Sequence, residues 1–138
     1  MWGNMMGWGG GAMFGIIPKP LWEKKIPADA DNRITMATNC LLLQDGTRTV
    51  LVDCGMGQKW SDKQSAQFKN EHALEGALAE AGVTVDDVTD VVLTHLHFDH
   101  AGGLTQNVAG GGLAMTFKNA VVRVGRRNWE WAHAPNER

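Results

Sequence analysis

The sequence predicts an α/β domain. Three features predict it: two apolar strands joined by Asp45-Gly46, an amphipathic helical stripe across residues 71–81, and a short apolar strand at residues 89–94. Strand, helix and strand in that order are the mark of a layered α/β arrangement.

The elements follow in chain order. Residues 1–11 are rich in Gly, Met and Trp without a clean period, so they read as a mobile terminus or as a strand interrupted by glycines. Residues 12–17 run into Pro18-Lys-Pro20, which is expected to break any regular element. Residues 21–33 are polar and loop-like, with Pro27 among them. Residues 34–43, Ile-Thr-Met-Ala-Thr-Asn-Cys-Leu-Leu-Leu, have the composition of one strand. Asp45-Gly46 then signals a hairpin. The return strand over 48–53 puts Val50 and Val52 on one face and Thr49, Leu51 and Asp53 on the other, because side chains alternate along a strand.

Two helical parts are expected over residues 61–82. Ser61 and Gln64 have capping-box spacing. Leu74, Ala77, Leu78 and Ala81 form an i, i+3, i+4, i+7 stripe, and Gly82 is placed to stop that helix. Residues 85–88 are a short connection, residues 113–124 hold one or two more strands, and residues 126–133 open a helix. No internal repeat is present.

Composition narrows the function classes. A chain of 138 residues suits about one domain, and the whole of 1–138 is read as a single unit. With 43% hydrophobic residues and a net charge of −2, it is neither disordered nor charged for nucleic-acid binding, so no nucleic-acid partner is expected. No apolar run approaches the ~20 residues of a membrane span, and no membrane partner is expected. No signal peptide is recognisable at the N-terminus. Cys40 and Cys54 read as buried free thiols in a reducing compartment, which makes the cytoplasm the expected location. Seventeen glycines exceed the usual ~7% and point to tight turns and close backbone approaches. The six tryptophans are expected in packing rather than in a binding platform. Gly110-Gly111-Gly112 lacks the spacing of a phosphate loop.

The chemistry concentrates in His95-Leu-His97-Phe-Asp99-His100-Ala-Gly102-Gly103. In an extended segment His95, His97 and Asp99 project into one space, and a turn into a helix at 99–103 swings His100 in beside them. Crowded imidazoles repel when protonated, whereas a divalent cation accepts their lone pairs and balances the carboxylate. Imidazole with carboxylate suits zinc first, then iron, manganese or nickel. Four donors exceed the three protein ligands of an open catalytic zinc, so they imply two adjacent metals, or one metal and an outer group. Asp53, at a strand end before Gly55, reads equally well as a turn cap. His72 and His133 are assigned no role.

Residues 91–103, Val-Val-Leu-Thr-His-Leu-His-Phe-Asp-His-Ala-Gly-Gly, together with Leu51-Val-Asp53-Cys-Gly55, resemble the signature of the metallo-β-lactamase superfamily over residues 34–104. Gly10-Gly-Ala-Met-Phe-Gly15, Pro18-Lys-Pro20 and the stretch from Trp129 are similar to the hydrolase branch that includes N-acyl-homoserine lactonases. The resemblance implies the N-terminal half of an αβ/βα sandwich, with a mixed sheet and helices on one face. It implies a two-zinc hydrolase of small esters or lactones, a small-molecule substrate, and attack on a carbonyl by a metal-activated water. By motif position His95 and His97 would hold one metal, Asp99 and His100 the other, Asp99 would also orient the water, and Asp53 would steady the site from behind.

The chain departs from the family pattern downstream. After His100 the only histidine is His133, and no aspartate follows Asp99, so the family's further ligands have no counterpart. The expectation is therefore half of a longer enzyme or a truncated product, inactive by itself, with one sheet face and an edge uncovered. The competing expectations are an iron-dependent oxidoreductase of the persulfide dioxygenase kind, and a non-catalytic fragment.

Overall fold

The computed structural model describes residues 4–69, 71 and 73–136. Met1 to Gly3 of the glycine-rich start and His72 lie outside the described residues.

Strand β1 (Asn4–Gly9) pairs antiparallel with β2 (Arg33–Thr38), so the strand reading of the first residues holds. Between them lie two short helices, α1 (Gly10–Phe14) and α2 (Lys19–Trp22). Here the prolines start an element rather than break one. Pro18 is the N-cap of α2 and Pro20 lies in its first turn, where a missing N–H costs nothing. The loop expected to begin at residue 21 therefore begins after Trp22, whose buried ring stacks 4.8 Å from Phe14.

The single strand expected over 34–43 is two. β2 ends at Thr38, and β3 (Leu41–Gln44) begins in a different sheet. Asn39, of a residue type depleted in strands, falls at the break, but the strand-forming residues on both sides of it mask the change of sheet. The Asp45-Gly46 hairpin forms as expected: the Asp45 carboxylate accepts from the Thr47 and Arg48 N–H groups, Gly46 has φ 88°, and β4 (Thr49–Val52) returns antiparallel to β3. A crossover through helices then leads to β5 (Asp90–Leu93), parallel to β4, and β5 pairs parallel with β8 (Val121–Val124). The four-stranded sheet is thus mixed, in the order β3-β4-β5-β8.

Both crossover helices carry the signals read for them. α3 (Asp62–Phe68) has the Ser61–Gln64 capping box, and α4 (Leu74–Glu80) ends before Gly82 with φ 72°. α4 starts at Leu74, the first residue of its apolar stripe, rather than at Glu71 where the helical segment is expected to begin. Residues 85–87 form a 3-10 turn with its own box between Thr84 and Asp87. A two-stranded hairpin, β6 (Thr105–Asn107) and β7 (Leu113–Met115), encloses the three glycines, all at positive φ as a turn requires. β6 had no legible strand pattern. α5 (Phe98–Ala101) follows β5, and α6 (Arg126–His133) follows β8.

One face of the sheet is a packed core. Leu51, Val91 and Leu93 meet Leu74 and Leu78 of α4, with Val83, Val88, Phe117 and Cys54, all fully or nearly fully buried. Ala101 and Leu104 from the segment after β5 close the same face. On the other face Leu41, Leu43 and Val121 are about half exposed. The expected uncovered apolar face is therefore present among the described residues.

The loop after β4 and the segment after α5 touch backbone to backbone. A Cβ built on Gly57 lies 2.5 Å from the Gly102 carbonyl oxygen. Cβ atoms on Gly102 and Gly103 strike the carbonyls of Met56 and Cys54. Gly57→Ala and Gly102→Ala are each expected to lower stability by more than ~1 kcal/mol, because the backbone cannot separate without losing its hydrogen bonds. Gly76→Ala, in the middle of α4 with open space around it, is expected to raise stability by about 0.5–1 kcal/mol. Urea denaturation midpoints of the three variants check both signs.

Candidate metal centre

The site is built at the carboxyl ends of two neighbouring parallel strands, where open α/β sheets place their ligands. β4 delivers Asp53 and β5 delivers residues 94–100. The Asp53 N–H continues the ladder to Val92 O at 2.9 Å, and the chain then turns at Asp53 with φ 58°, a left-handed conformation that aspartate tolerates better than most residues. That turn directs the carboxylate at the segment leaving β5. Cys54 N–H donates to His100 O at 2.8 Å, and Gly103 N–H donates to Gly55 O at 2.9 Å, locking the two loops together. Lys59 reaches across the same seam, its ammonium donating to Gly102 O and to Thr105 O at 2.7 Å. Burial pulls the Lys59 pKa down.

Asp53 is 6% exposed, and its two oxygens have four polar contacts from three donor groups. Thr94 N–H and hydroxyl reach Oδ1 at 2.8 and 3.0 Å, the same hydroxyl reaches Oδ2 at 2.8 Å, and His100 Nδ1 lies 2.8 Å from Oδ2. Burial alone raises the Asp53 pKa. The hydrogen bonds from His100 and Thr94 outweigh it and hold the carboxyl below its ordinary range.

His95, Asp99 and His100 converge: one donor atom from each lies within 4.8 Å of the others. The His100 ring is 4.0 Å from that of His95, so the turn at α5 swings it in as the spacing requires. His97 stands beside His95 with ring centroids 4.6 Å apart, but it is not part of the three-donor group. With Nδ1 of His100 committed to Asp53, its Nε2 faces Asp99 Oδ2 at 3.4 Å. A lone pair facing a carboxylate across that gap is repulsive until a cation shares them, so the donor set fits a divalent metal. His133 is exposed on α6 and bonds to Trp129 O, far from any such role.

The surroundings are apolar. Trp8, Met13 and Met36 line a cleft of about 310 Å³ that opens on Asp99 and His100. Trp8 stacks on Phe98 at 5.4 Å with planes 11° apart, and Phe68 and Trp60 complete a four-ring cluster. These tryptophans are packing, as expected, and Trp8 is also a cleft wall. Sequence reasoning passed over Thr94, Lys59 and Asn128, whose Nδ2 donates to Thr94 O at 3.1 Å. The position of Thr94 directly before the first histidine was the one available signal.

The fold and donor set define an α/β protein with a histidine–aspartate cluster at its strand ends whose donors fit a divalent cation. A family model described as the metallo-beta-lactamase superfamily matches residues 33–106, more than half of the chain, and the chain belongs to that superfamily. It is similar to a probable metal-dependent hydrolase from Staphylococcus aureus, with 36% identity and a TM-score of 0.82, covering 97% of this chain and 48% of that one. The dizinc quorum-quenching lactonase AidC shares the fold at 24% identity and a TM-score of 0.72, over 98% of this chain and 43% of that one. Among curated proteins, the cytochrome P450 monooxygenase mpaDE of Penicillium roqueforti is 27% identical over 105 residues, covering 67% of this chain and 12% of that protein. The chain thus spans about half the length of the structures it resembles and an eighth of that curated relative. No helix of the described residues is long and apolar enough to cross a membrane.

Cys54 lies directly behind the site, its thiol donating to His100 O, and both cysteines are buried and free. Burial pushes the Cys40 thiol up to about 11 and the Cys54 thiol up to about 12. Neither is expected to react with iodoacetamide at pH 8 while folded, and both are expected to react in denaturant. Mass spectrometry of the alkylated chain checks this.

Proposed function

We propose that the protein is a metal-dependent hydrolase of small esters or lactones, and that this chain supplies His95, His97, Asp99 and His100 to its metal centre. The observation that carries the reading is the convergence of His95, Asp99 and His100, with His100 Nδ1 held by Asp53 and Nε2 turned to Asp99. The similarity to a probable metal-dependent hydrolase at 36% identity supports it.

His95 and His100 would hold the cation through ring nitrogens and Asp99 through its carboxylate, with His97 approaching from beside His95. Zinc is the metal proposed from this chemistry, two ions in the whole enzyme, with iron or manganese as substitutes. When bound, a divalent cation supplies Lewis acidity, polarising a carbonyl oxygen and lowering the pKa of water. Asp99 orients the attacking water and takes its proton at a carboxylate oxygen, then returns it to the departing alkoxide. Asp53 keeps the His100 ring from turning. The Trp8–Met13–Met36 cleft excludes water and receives the apolar part of a small-molecule substrate. Two buried free thiols suit a reducing compartment such as the cytoplasm.

The test is zinc content together with hydrolysis of an aryl ester and a lactone by the whole protein. His95→Ala and His97→Ala are expected to abolish turnover and to weaken zinc binding by more than the ~10–100-fold typical of losing an outer partner. Asp53→Asn is expected to weaken it within that range. Metal content and turnover unchanged in both histidine variants reject the reading. Bound iron with thiol-dependent oxygen uptake replaces it with an oxidoreductase.

A further inference from the structure

Thr94 occupies the one position between the last residue of β5 and the first histidine, and all of its polar groups are engaged. Its N–H donates to Asp53 Oδ1 at 2.8 Å and its carbonyl accepts from Asn128. Its hydroxyl oxygen lies 2.8 Å from Asp53 Oδ2, 3.0 Å from Oδ1, and 3.1 Å from His95 Nδ1. A hydroxyl owns one proton, and a carboxylate has none to give. The Thr94 proton therefore points to Asp53. What the oxygen presents to His95 is a lone pair, and only a protonated Nδ1 can face it. On the opposite side of Asp53 the same logic acts directly, since His100 Nδ1–H donates to Oδ2.

We propose that Thr94 is a positioning residue that relays the acceptor character of Asp53 to His95, so that one buried carboxylate fixes the tautomer of two histidines. His100 is set by contact and His95 through the threonine hydroxyl. Both rings then carry hydrogen on Nδ1 and keep Nε2 as the nitrogen with the lone pair, which for His100 faces Asp99. Without the relay, His95 is free to place its proton on Nε2, the nitrogen that must be bare to bind a cation. Asn128 fixes the other side of the residue, holding its carbonyl so that the hydroxyl stays between its two partners.

The proposal rests on reading the cluster as a metal centre, but its first measurement needs no metal. Nitrogen-15 NMR of the imidazoles at neutral pH in the metal-free chain is expected to show the Nδ1–H tautomer for both His95 and His100. The Nε2–H form at His95 overturns the relay. In Thr94→Val, His95 is expected to shift to mainly Nε2–H while His100 keeps its tautomer. Thr94→Ser, which retains the hydroxyl, is expected to match the parent and so to separate loss of the relay from loss of packing. An unchanged His95 tautomer in Thr94→Val also overturns the proposal. Zinc binding by titration is expected to weaken about 10-fold in Thr94→Val and to change less than 2-fold in Thr94→Ser, at the lower end of what an outer partner contributes. The expected tautomers in a chain that binds no zinc leave the relay standing and remove the metal reading instead.

Discussion

Burying a carboxylate is costly unless its oxygens find donors, and Asp53 is buried at the meeting point of two loops. The fold meets that cost with Thr94 and His100, and in doing so it ties the end of β4 to the segment that leaves β5. The geometry of the donor cluster depends on this tie. His100 cannot turn without leaving Asp53 with one donor fewer, and Thr94 cannot move without releasing both Asp53 and Asn128. A partly buried hydrogen-bonded network of this kind has few alternative arrangements, because each member is satisfied only by the others.

The tie requires close approach, which explains where glycine is spent. Gly102 and Gly103 lie against the carbonyls of Met56 and Cys54, and Gly57 against Gly102. Side chains there would hold the loops apart by more than a hydrogen bond can span. Cys54 N–H to His100 O, Gly103 N–H to Gly55 O and the Lys59 ammonium on two carbonyls then convert proximity into a fixed distance. The Lys59 charge at the carbonyl end of the short α5 segment is also placed favourably against the backbone dipoles. The motif glycines thus set the distance between Asp53 and His100 without touching either side chain.

Local rules were legible wherever one short stretch decides the outcome. Asp45-Gly46, the Ser61–Gln64 box, the stop at Gly82 and the His/Asp spacing all took the shapes their chemistry demands. What stayed hidden depends on partners distant in sequence. In residues 34–43 only Asn39 hints that the chain changes sheets, because both halves favour strand and pairing with β1 or β4 is what separates them. Arg33 likewise reads as the last residue of the polar, loop-like stretch 21–33. Yet it donates to Asp29 and to the carbonyls of Ala66 and Gln67, holding the end of α3 against β2. Thr94 resembles any residue of a β-rich run until Asp53, 41 residues earlier, is brought beside it. The extended spacing puts the His97 ring beside His95 and the expected turn into α5 brings His100 in, while the three-donor group is His95, Asp99 and His100 without His97, since a helical turn reorients the residues after it.

The two faces of the sheet carry different burdens. Leu51, Val91 and Leu93 point to α4 and to the segment beneath the site, so the packed face supports the strand ends that hold Asp53 and Thr94. The opposite face aligns Leu41, Val52 and Val92 in one row and Leu43, Val50 and Val121 in the next, interrupted by Asp90, which is paired with Arg123. Apart from that ion pair the two rows are apolar, and water contact there is unfavourable in proportion to the apolar area. The donor cluster is held by contacts on the other side of the sheet. The geometry of the donor cluster and the exposure of the second face are consequently separable properties of the sheet. The first is set by the hydrogen bonds among Asp53, Thr94 and His100, and the second by the apolar side chains that β3 and β8 leave in contact with water.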